Sequence, residues 1–380
     1  MIYCDGLMNI IFLIRGDPKD INVWSGTSYH IYHKLREKHN VEIIGTEVLK
    51  QIGFFAKDNF TLRNLSTSER YVKNINRLLS ERINATGFNV VFFGDLLFVP
   101  FLLVDIPIVY LSDTSYEQRT SHFGEPDERQ YESCIQRERL TLEKSFKIIY
   151  SSEWIKGKAV EFYHIGTKKI HVIEFGANIP TPLEYSININ MDVCRLVFIG
   201  RNWEKKGGDK VLQAYKHLKS DGFPSTLTII GSAPKAPPEA DEDLIIIPFL
   251  DKSNRLQLER LCKILSESHF LVLPTEFDAF GIVFCEASAY GVPSIAANVG
   301  GVSQAIKEGK NGFLLPPDAK AQDYAVKIKT VFSDRESYIR LRASSRREFE
   351  TRLNWDVWGE QVNAVLENAV REWKNNHQSW

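Results

Sequence analysis

The chain of 380 residues has no CxxC pair, no excess of either charge and no unbroken apolar run, and each absence removes a class of protein. Its cysteines (Cys4, Cys134, Cys194, Cys262 and Cys285) are odd in number and scattered, which fits neither a disulfide framework nor a zinc site and suits a reducing cytoplasm. Forty-seven basic residues stand against forty-eight acidic ones, for a formal net charge of −1, so no global cationic field gathers a phosphate backbone and nucleic acid is not an expected partner. The most apolar stretch, residues 90–111, is broken by Asp95, Pro100, Asp105 and Pro107, whereas a membrane span needs about 20 mostly uncharged apolar residues. The first fourteen residues carry no Lys or Arg, and no small-residue cleavage pattern follows the apolar run 7–14, so neither a membrane helix nor a secretory signal is expected.

What is present is a hydrophobic content of 43% and a length suited to two domains. Short β-branched and aromatic runs alternate with helical patterns, as in βαβ units of a parallel sheet. The first half supplies strands at 9–14, 41–45, 89–93, 106–111, 147–150 and 169–174; the second repeats the count at 195–200, 225–230, 244–248, 270–274, 293–296 and 312–315. Each half is predicted to be one α/β doubly wound sheet. Residues 176–193, with Pro180 and Pro182 and no periodicity, are placed as the linker. The domains are then 1–178, joined by a terminal helix over 355–380, and 193–354. After Gly207 and Gly208, the spacing of Val211, Leu212, Ala214, Tyr215 and Leu218 predicts a helix on the second sheet. Trp355, Trp358, Val362, Val365, Leu366, Ala369, Val370 and Trp373 form one apolar face of the terminal helix.

Two segments of the second half carry chemistry. In LVFIGRNWEKKGGD (196–209) a buried strand ends at Gly200, exposes Arg201, and leads through Lys205, Lys206 and two glycines into a helix. An arginine fork, a lysine point charge and a glycine-opened helix N-terminus suit phosphate; a solvated loop is the alternative. The spacing fits neither Walker A nor GxGxxG, which argues against a P-loop ATPase or a nicotinamide dehydrogenase. In LPTEFDAFGIVFCEASAYGVPSIAANVGG (273–301) a strand ends at Pro274, and a loop with Glu276, Asp278, Ala279 and Gly281 leads into a helix carrying Glu286. Open parallel sheets bind ligands beyond the carboxyl ends of their strands, where this loop falls. If Phe280, Gly281, Ile282 and Val283 form the first helical turn, their N–H groups face an anion, and Glu286 lies a turn further in, placed for a diol. The alternative makes Glu286 a surface residue and Asp278 an N-cap.

Taken together, FIGRNWEKKGGDKVLQAY and PTEFDAFGIVFCEASAYGVPSIAANVGGVSQAIKEGKNGFLL resemble the nucleotide-sugar-binding domain of retaining glycosyltransferases of family 4, over roughly residues 193–315. The first half matches more loosely, through WSGT (24–27), LSDTSYE (111–117) and EFGAN (174–178). The overall pattern is also similar to cyanobacterial envelope-polysaccharide glucosyltransferases. The resemblance implies a GT-B fold of two Rossmann-like domains facing a central cleft, with the last helix crossing back to the first domain. It implies transfer of a hexose, with retention, from a nucleoside diphospho-sugar to a saccharide or lipid-linked acceptor. UDP-glucose is the first candidate donor and GDP-mannose the second, with no metal or cofactor required.

The resemblance also implies roles. Arg201 and Lys206 hold the diphosphate, Asp278 reaches donor-sugar hydroxyls and Glu286 the ribose. Backbone N–H groups of Ala279, Phe280, Gly281, Ile282 and Val283 meet the distal phosphate or sugar, and the base lies near Phe249 and Leu250. Ser25, Gly26 and Thr27 line the acceptor side. The first acidic position is Asp278 where the family has Glu, with Glu276 as a possible substitute. The family's first-domain His is absent; Asp113 is taken as the cleft-lining catalytic group, with His122 read as an exposed loop imidazole. A nucleotide-sugar epimerase, a phosphorylase and a binding scaffold with decayed catalysis stay open as alternatives. Basic clusters at Lys34, Arg36 and Lys38 and at Arg63, Arg70, Lys73, Arg77 and Arg82 leave open a peripheral contact with the inner face of a membrane, a solvated helix face being the preferred reading.

Overall fold

The computed structural model describes residues 6–14, 16–44, 69–94, 98–123, 128–182, 189–235 and 241–377. Cys4, Gly45, Arg63, Asp95 and residues 183–188 of the expected linker lie outside them. The described strands form two six-stranded sheets. In the first, β1 (Asn9–Leu13), β2 (Asn40–Ile44), β3 (Val90–Phe93), β4 (Ile108–Ser112), β5 (Lys147–Tyr150) and β6 (Ile170–Val172) run parallel in the order β2-β1-β3-β4-β5-β6. In the second, β7 (Cys194–Ile199), β8 (Ser225–Ile230), β9 (Leu244–Ile247), β10 (Phe270–Leu273), β11 (Ser294–Ala297) and β12 (Gly312–Leu315) run parallel in the order β12-β11-β10-β7-β8-β9. All of β3, β5, β10 and β11 are buried along their length, and β3 (VVFF) and β10 (FLVL) accordingly read as continuous apolar runs rather than alternating ones.

Strand order decides where ligands can sit. A doubly wound sheet opens a crevice where successive connections diverge to opposite sides, beyond the carboxyl ends of the strands. In the second sheet the chain steps outward from β7 through β8 to β9, then returns to place β10 against the other edge of β7. The loops after β7 and β10 therefore flank the switch point. In the first sheet the same reversal falls between β1 and β3.

The chain divides into two compact units, Met1–Ile173 with Gly359–Trp380, and Glu174–Trp358. The division falls before the expected linker, because residues 174–182 are already packed on the second unit. Phe175 stacks with Trp355 at 6.0 Å, Ala177 N–H donates to Leu353 O at 3.2 Å, and Tyr290 OH donates to Pro180 O at 2.9 Å. The terminal helix Trp355–His377 has Trp355 and Trp358 in the second unit and the residues from Gly359 onward in the first. Within the first unit it is tied down by Asn363 Oδ1 against His39 Nε2 (3.0 Å), by Glu372 to Lys147 (2.7 Å) and by Trp373 edge-on to Phe146 (5.4 Å).

Candidate functional site

The loop after β7 is built around two glycines that only glycine could occupy. Gly207 adopts φ +74° as the N-cap of the helix Gly208–Ser220, and a Cβ there would lie 2.2 Å from the carbonyl oxygen of Pro274. A Cβ on Gly208 would meet the Trp203 ring at 2.3 Å; that indole is buried and donates to Asp209 Oδ1 at 2.8 Å. The close approach lets Lys205 O accept Glu276 N–H (2.9 Å) and Thr275 Oγ1–H (3.2 Å), zipping the loop after β7 to the loop after β10.

Across that seam lie two lysine–carboxylate pairs. Lys206 Nζ donates to Asp278 Oδ2 at 2.7 Å and to Phe277 O at 3.3 Å, while Lys205 pairs with Glu276 at 2.9 Å. The first pair is largely shielded (27% and 18% exposed) and the second open to water (49% and 60%). Glu276 is thus held by a different lysine from Asp278. Asp278 O accepts Gly301 N–H at 3.0 Å, and a Cβ on Gly300, at φ +52°, would fall 2.2 Å from the same oxygen. The paired glycines therefore seat the Asp278 loop.

The helix after β10 is Ile282–Ala289, capped by Gly281 at φ +89°. It begins two residues later than the expected Phe280. Phe280 is instead buried, with its ring edge-on to Phe175 at 5.5 Å, and Ala279 is half-buried before the cap. Gly281 rather than Asp278 is the N-cap. Ile282 and Val283 remain in the first turn, where N–H groups have no intrahelical acceptor. Glu286 is not a surface residue: it is 3% exposed, and Lys252 Nζ donates to its Oε1 at 2.5 Å. Arg201 is exposed, with its guanidinium 5.0 Å from the centroid of the half-exposed Phe249 ring, and Leu250 beside it is buried. The structure so joins Arg201 with Phe249, and Lys206 with Asp278. Lys252 was missed by sequence reasoning, since a lysine in a polar turn carries no signal until its partner 34 residues away is known.

In the first unit, Trp24 (φ 50°, ψ 44°), Ser25 (φ 56°, ψ 18°) and Gly26 (φ 97°) form a left-handed run before the helix Thr27–Arg36. Two successive non-glycine residues there cost on the order of 1 kcal/mol or more each, strain that characteristically collects at binding sites. The run turns Trp24 so that its Nε1–H donates to Asp113 Oδ2 at 3.2 Å, just past β4, which brings Asp113 to the turn carrying Gly26 and Thr27. His122 is not in a loop. It closes the helix Tyr116–Phe123, with Nδ1 2.8 Å from Gln118 O and 3.0 Å from Ser121 Oγ. Within the basic cluster, Lys73, Arg77 and Arg82 pair with Glu69, Glu81 and Glu42, each at 2.6 Å.

Behind the Asp113 loop sits Glu138. Its Oε2 accepts Tyr116 N–H at 2.7 Å and the Tyr163 hydroxyl, while Oε1 is buried with no partner among the described residues. Burial pushes the carboxyl up to about 7, against the lowering effect of those two hydrogen bonds and with a smaller push from Glu117. The folded state therefore holds a proton that the unfolded state releases between the ordinary carboxylate range and about 7. That contribution to stability is full at low pH and is lost as pH rises through about 7. Glu138→Gln should flatten the slope. Between about pH 5 and about pH 8 the natural protein should lose on the order of 1 to 3 kcal/mol more than the variant in urea unfolding. Parallel profiles would contradict the assignment.

No helix of the described residues is long and apolar enough to cross a membrane, and among them no group of three or more His, Cys, Asp or Glu could hold a metal ion.

The family described as Glycosyl transferases group 1 matches residues 184–348, within the second unit. Fold and match together support a GT-B glycosyltransferase, built from two Rossmann-like domains. Among curated relatives, the D-inositol 3-phosphate glycosyltransferase of Jonesia denitrificans is 25% identical over 289 residues, covering 70% of this chain and 67% of that one. The protein of the same name from Corynebacterium efficiens is 23% identical over 283 residues, covering 70% and 66%. The match thus spans about two thirds of the length of these relatives. Among solved structures, sucrose-phosphate synthase from Thermosynechococcus elongatus superposes with a TM-score of 0.72 at 14% identity, covering 95% of this chain and 99% of that one. Anabaena HepE in complex with UDP-glucose does so with a TM-score of 0.63 at 15% identity, covering 95% and 100%. At these identities the likeness is one of fold.

Proposed function

We propose that this protein is a retaining hexosyltransferase of glycosyltransferase family 4. It takes a hexose from a nucleoside diphospho-sugar and gives it to a saccharide or lipid-linked acceptor in the cytoplasm, in polysaccharide or glycoconjugate synthesis. The observation that carries the reading is the seam at the second sheet's switch point, where the loop after β7, bearing Arg201 and Lys206, is bonded to the loop after β10, which leads through Asp278 into the helix Ile282–Ala289 with its buried carboxylate, Glu286. The diphosphate sits against Arg201 and Lys206 and the first-turn N–H groups, which are placed in advance for the charge that develops as the leaving group departs. Asp278 orients Lys206 through their ion pair and turns its carboxylate to the sugar hydroxyls. Phe249, backed by the buried Leu250, offers a ring face to the base, and Glu286 accepts hydrogen bonds from the ribose. Asp113, with Gly26 and Thr27, serves the acceptor side.

Support for glycosyl transfer comes from the names of the relatives, and support for a nucleotide-sugar donor from HepE, whose solved complexes contain UDP and UDP-glucose. UDP-glucose is the first choice and GDP-mannose the second. The test is a panel of UDP- and GDP-sugars, read by thermal shift and then by nucleotide release with and without saccharide and lipid-linked acceptors. The expected result is stabilisation by one donor and release that rises with acceptor. A donor that is bound but never transferred would make the protein a binding scaffold, and sugar inversion without acceptor would make it an epimerase. No response to any donor would overturn the reading.

A further inference from the structure

We propose that Lys252 is a specificity-determining residue: by fixing the buried Glu286 carboxylate, it gives the site its preference for ribonucleotides over 2′-deoxyribonucleotides. The inference rests on the reading of Glu286 as the ribose acceptor. Glu286 is the one charged side chain in the helix Ile282–Ala289, and water reaches almost none of it. A carboxylate taken out of water without a partner is expensive. Lys252 is the one cation within ion-pair distance of Glu286 among the described residues, and it is itself only 18% exposed.

The lysine is held from a rigid turn. Asp251 Oδ1 accepts Ser253 N–H (2.8 Å) and Oγ–H (2.7 Å), Asp251 N–H donates to Gln257 Oε1 (2.7 Å), and Asn254 Oδ1 caps the next helix through Leu256 and Gln257 N–H. With its backbone so fixed, Lys252 occupies Oε1 of Glu286 and holds the carboxylate plane. A carboxylate has further acceptor positions on both oxygens, and a hydroxyl donating to it makes a charge-assisted bond. A nucleotide lacking the 2′-hydroxyl offers one donor fewer, so the carboxylate must be pinned for that difference to be felt. Removing Lys252 leaves Glu286 buried, unpaired and free to turn.

The experiment is calorimetric titration of the full chain with UDP, 2′-deoxy-UDP, GDP and 2′-deoxy-GDP, for the natural protein and for Lys252→Met, Lys252→Gln, Lys252→Arg and Glu286→Gln, each first checked for a cooperative melt. The natural protein should prefer the ribonucleotide by about tenfold or more, and Glu286→Gln should abolish the preference. Lys252→Met and Lys252→Gln should cut it to within about threefold, with Lys252→Arg restoring most of it. A merely structural lysine would weaken both nucleotides alike and leave their ratio unchanged. If Glu286→Gln loses the preference while both neutral Lys252 variants keep it, the proposal is overturned and the ribose reading stands. If Glu286→Gln keeps the preference, the ribose reading itself fails.

Discussion

Lys206→Ala should lower kcat/KM for sugar transfer by about 100-fold, with most of the loss in kcat. The ammonium sits at the seam between the loops after β7 and β10, anchored by Asp278 at 2.7 Å and by the Phe277 carbonyl at 3.3 Å. An ammonium held in that way pays no reorganisation when negative charge grows on a departing diphosphate, which is why loss of one preorganised donor typically costs about 100-fold or more. Arg201→Ala should cost less, at least about tenfold, because the guanidinium is exposed and stacked on Phe249 rather than clamped. Steady-state kinetics with a saturating acceptor measures both. Rates near those of the natural protein in both variants would contradict the phosphate assignment.

Gly207→Ala should cost stability on the order of 3 kcal/mol or more, because the left-handed backbone and a close contact act together. The added Cβ would lie 2.2 Å from Pro274 O, an atom fixed at the end of β10, so relief requires the two loops to part. Gly222 provides the control. It has a similar φ of +69° but nothing within 4 Å of a Cβ, so Gly222→Ala carries the backbone cost alone, about 1 kcal/mol. Urea unfolding of the two variants separates the contributions, and equal losses would mean that the loops do not meet where the structure places them. Donor binding should fall with Gly207→Ala and stay unchanged with Gly222→Ala.

Much of the fold was legible in the sequence because parallel strands buried on both faces leave a strong trace. Runs such as VVFF at β3 and FLVL at β10 admit little else between helical patterns. The loop proposed to hold phosphate could be placed for a related reason: Arg201, Lys206 and the glycines lie next to each other in sequence, in a loop whose position follows from strand order. What escaped notice depends on long-range contacts. The ion pair of Lys252 with Glu286 and the hydrogen bond of Trp24 with Asp113 link positions 34 and 89 residues apart. The early division at Ile173 follows from the packing of Phe175 on Trp355, which no local pattern announces. The helix start at Ile282 reflects the burial of Phe280 against Phe175, which takes that residue out of the first turn.

Nucleotide binding at the loop after β7 is tested by titrating the protein with nucleoside diphosphates, followed calorimetrically for the natural chain and for the Arg201→Ala, Lys206→Ala double variant. The natural chain should bind one nucleotide saturably, with binding weakened at least about tenfold in the double variant while its melting remains cooperative. Binding unchanged in that variant, or no binding of any nucleoside diphosphate by the natural chain, would contradict nucleotide binding at that loop.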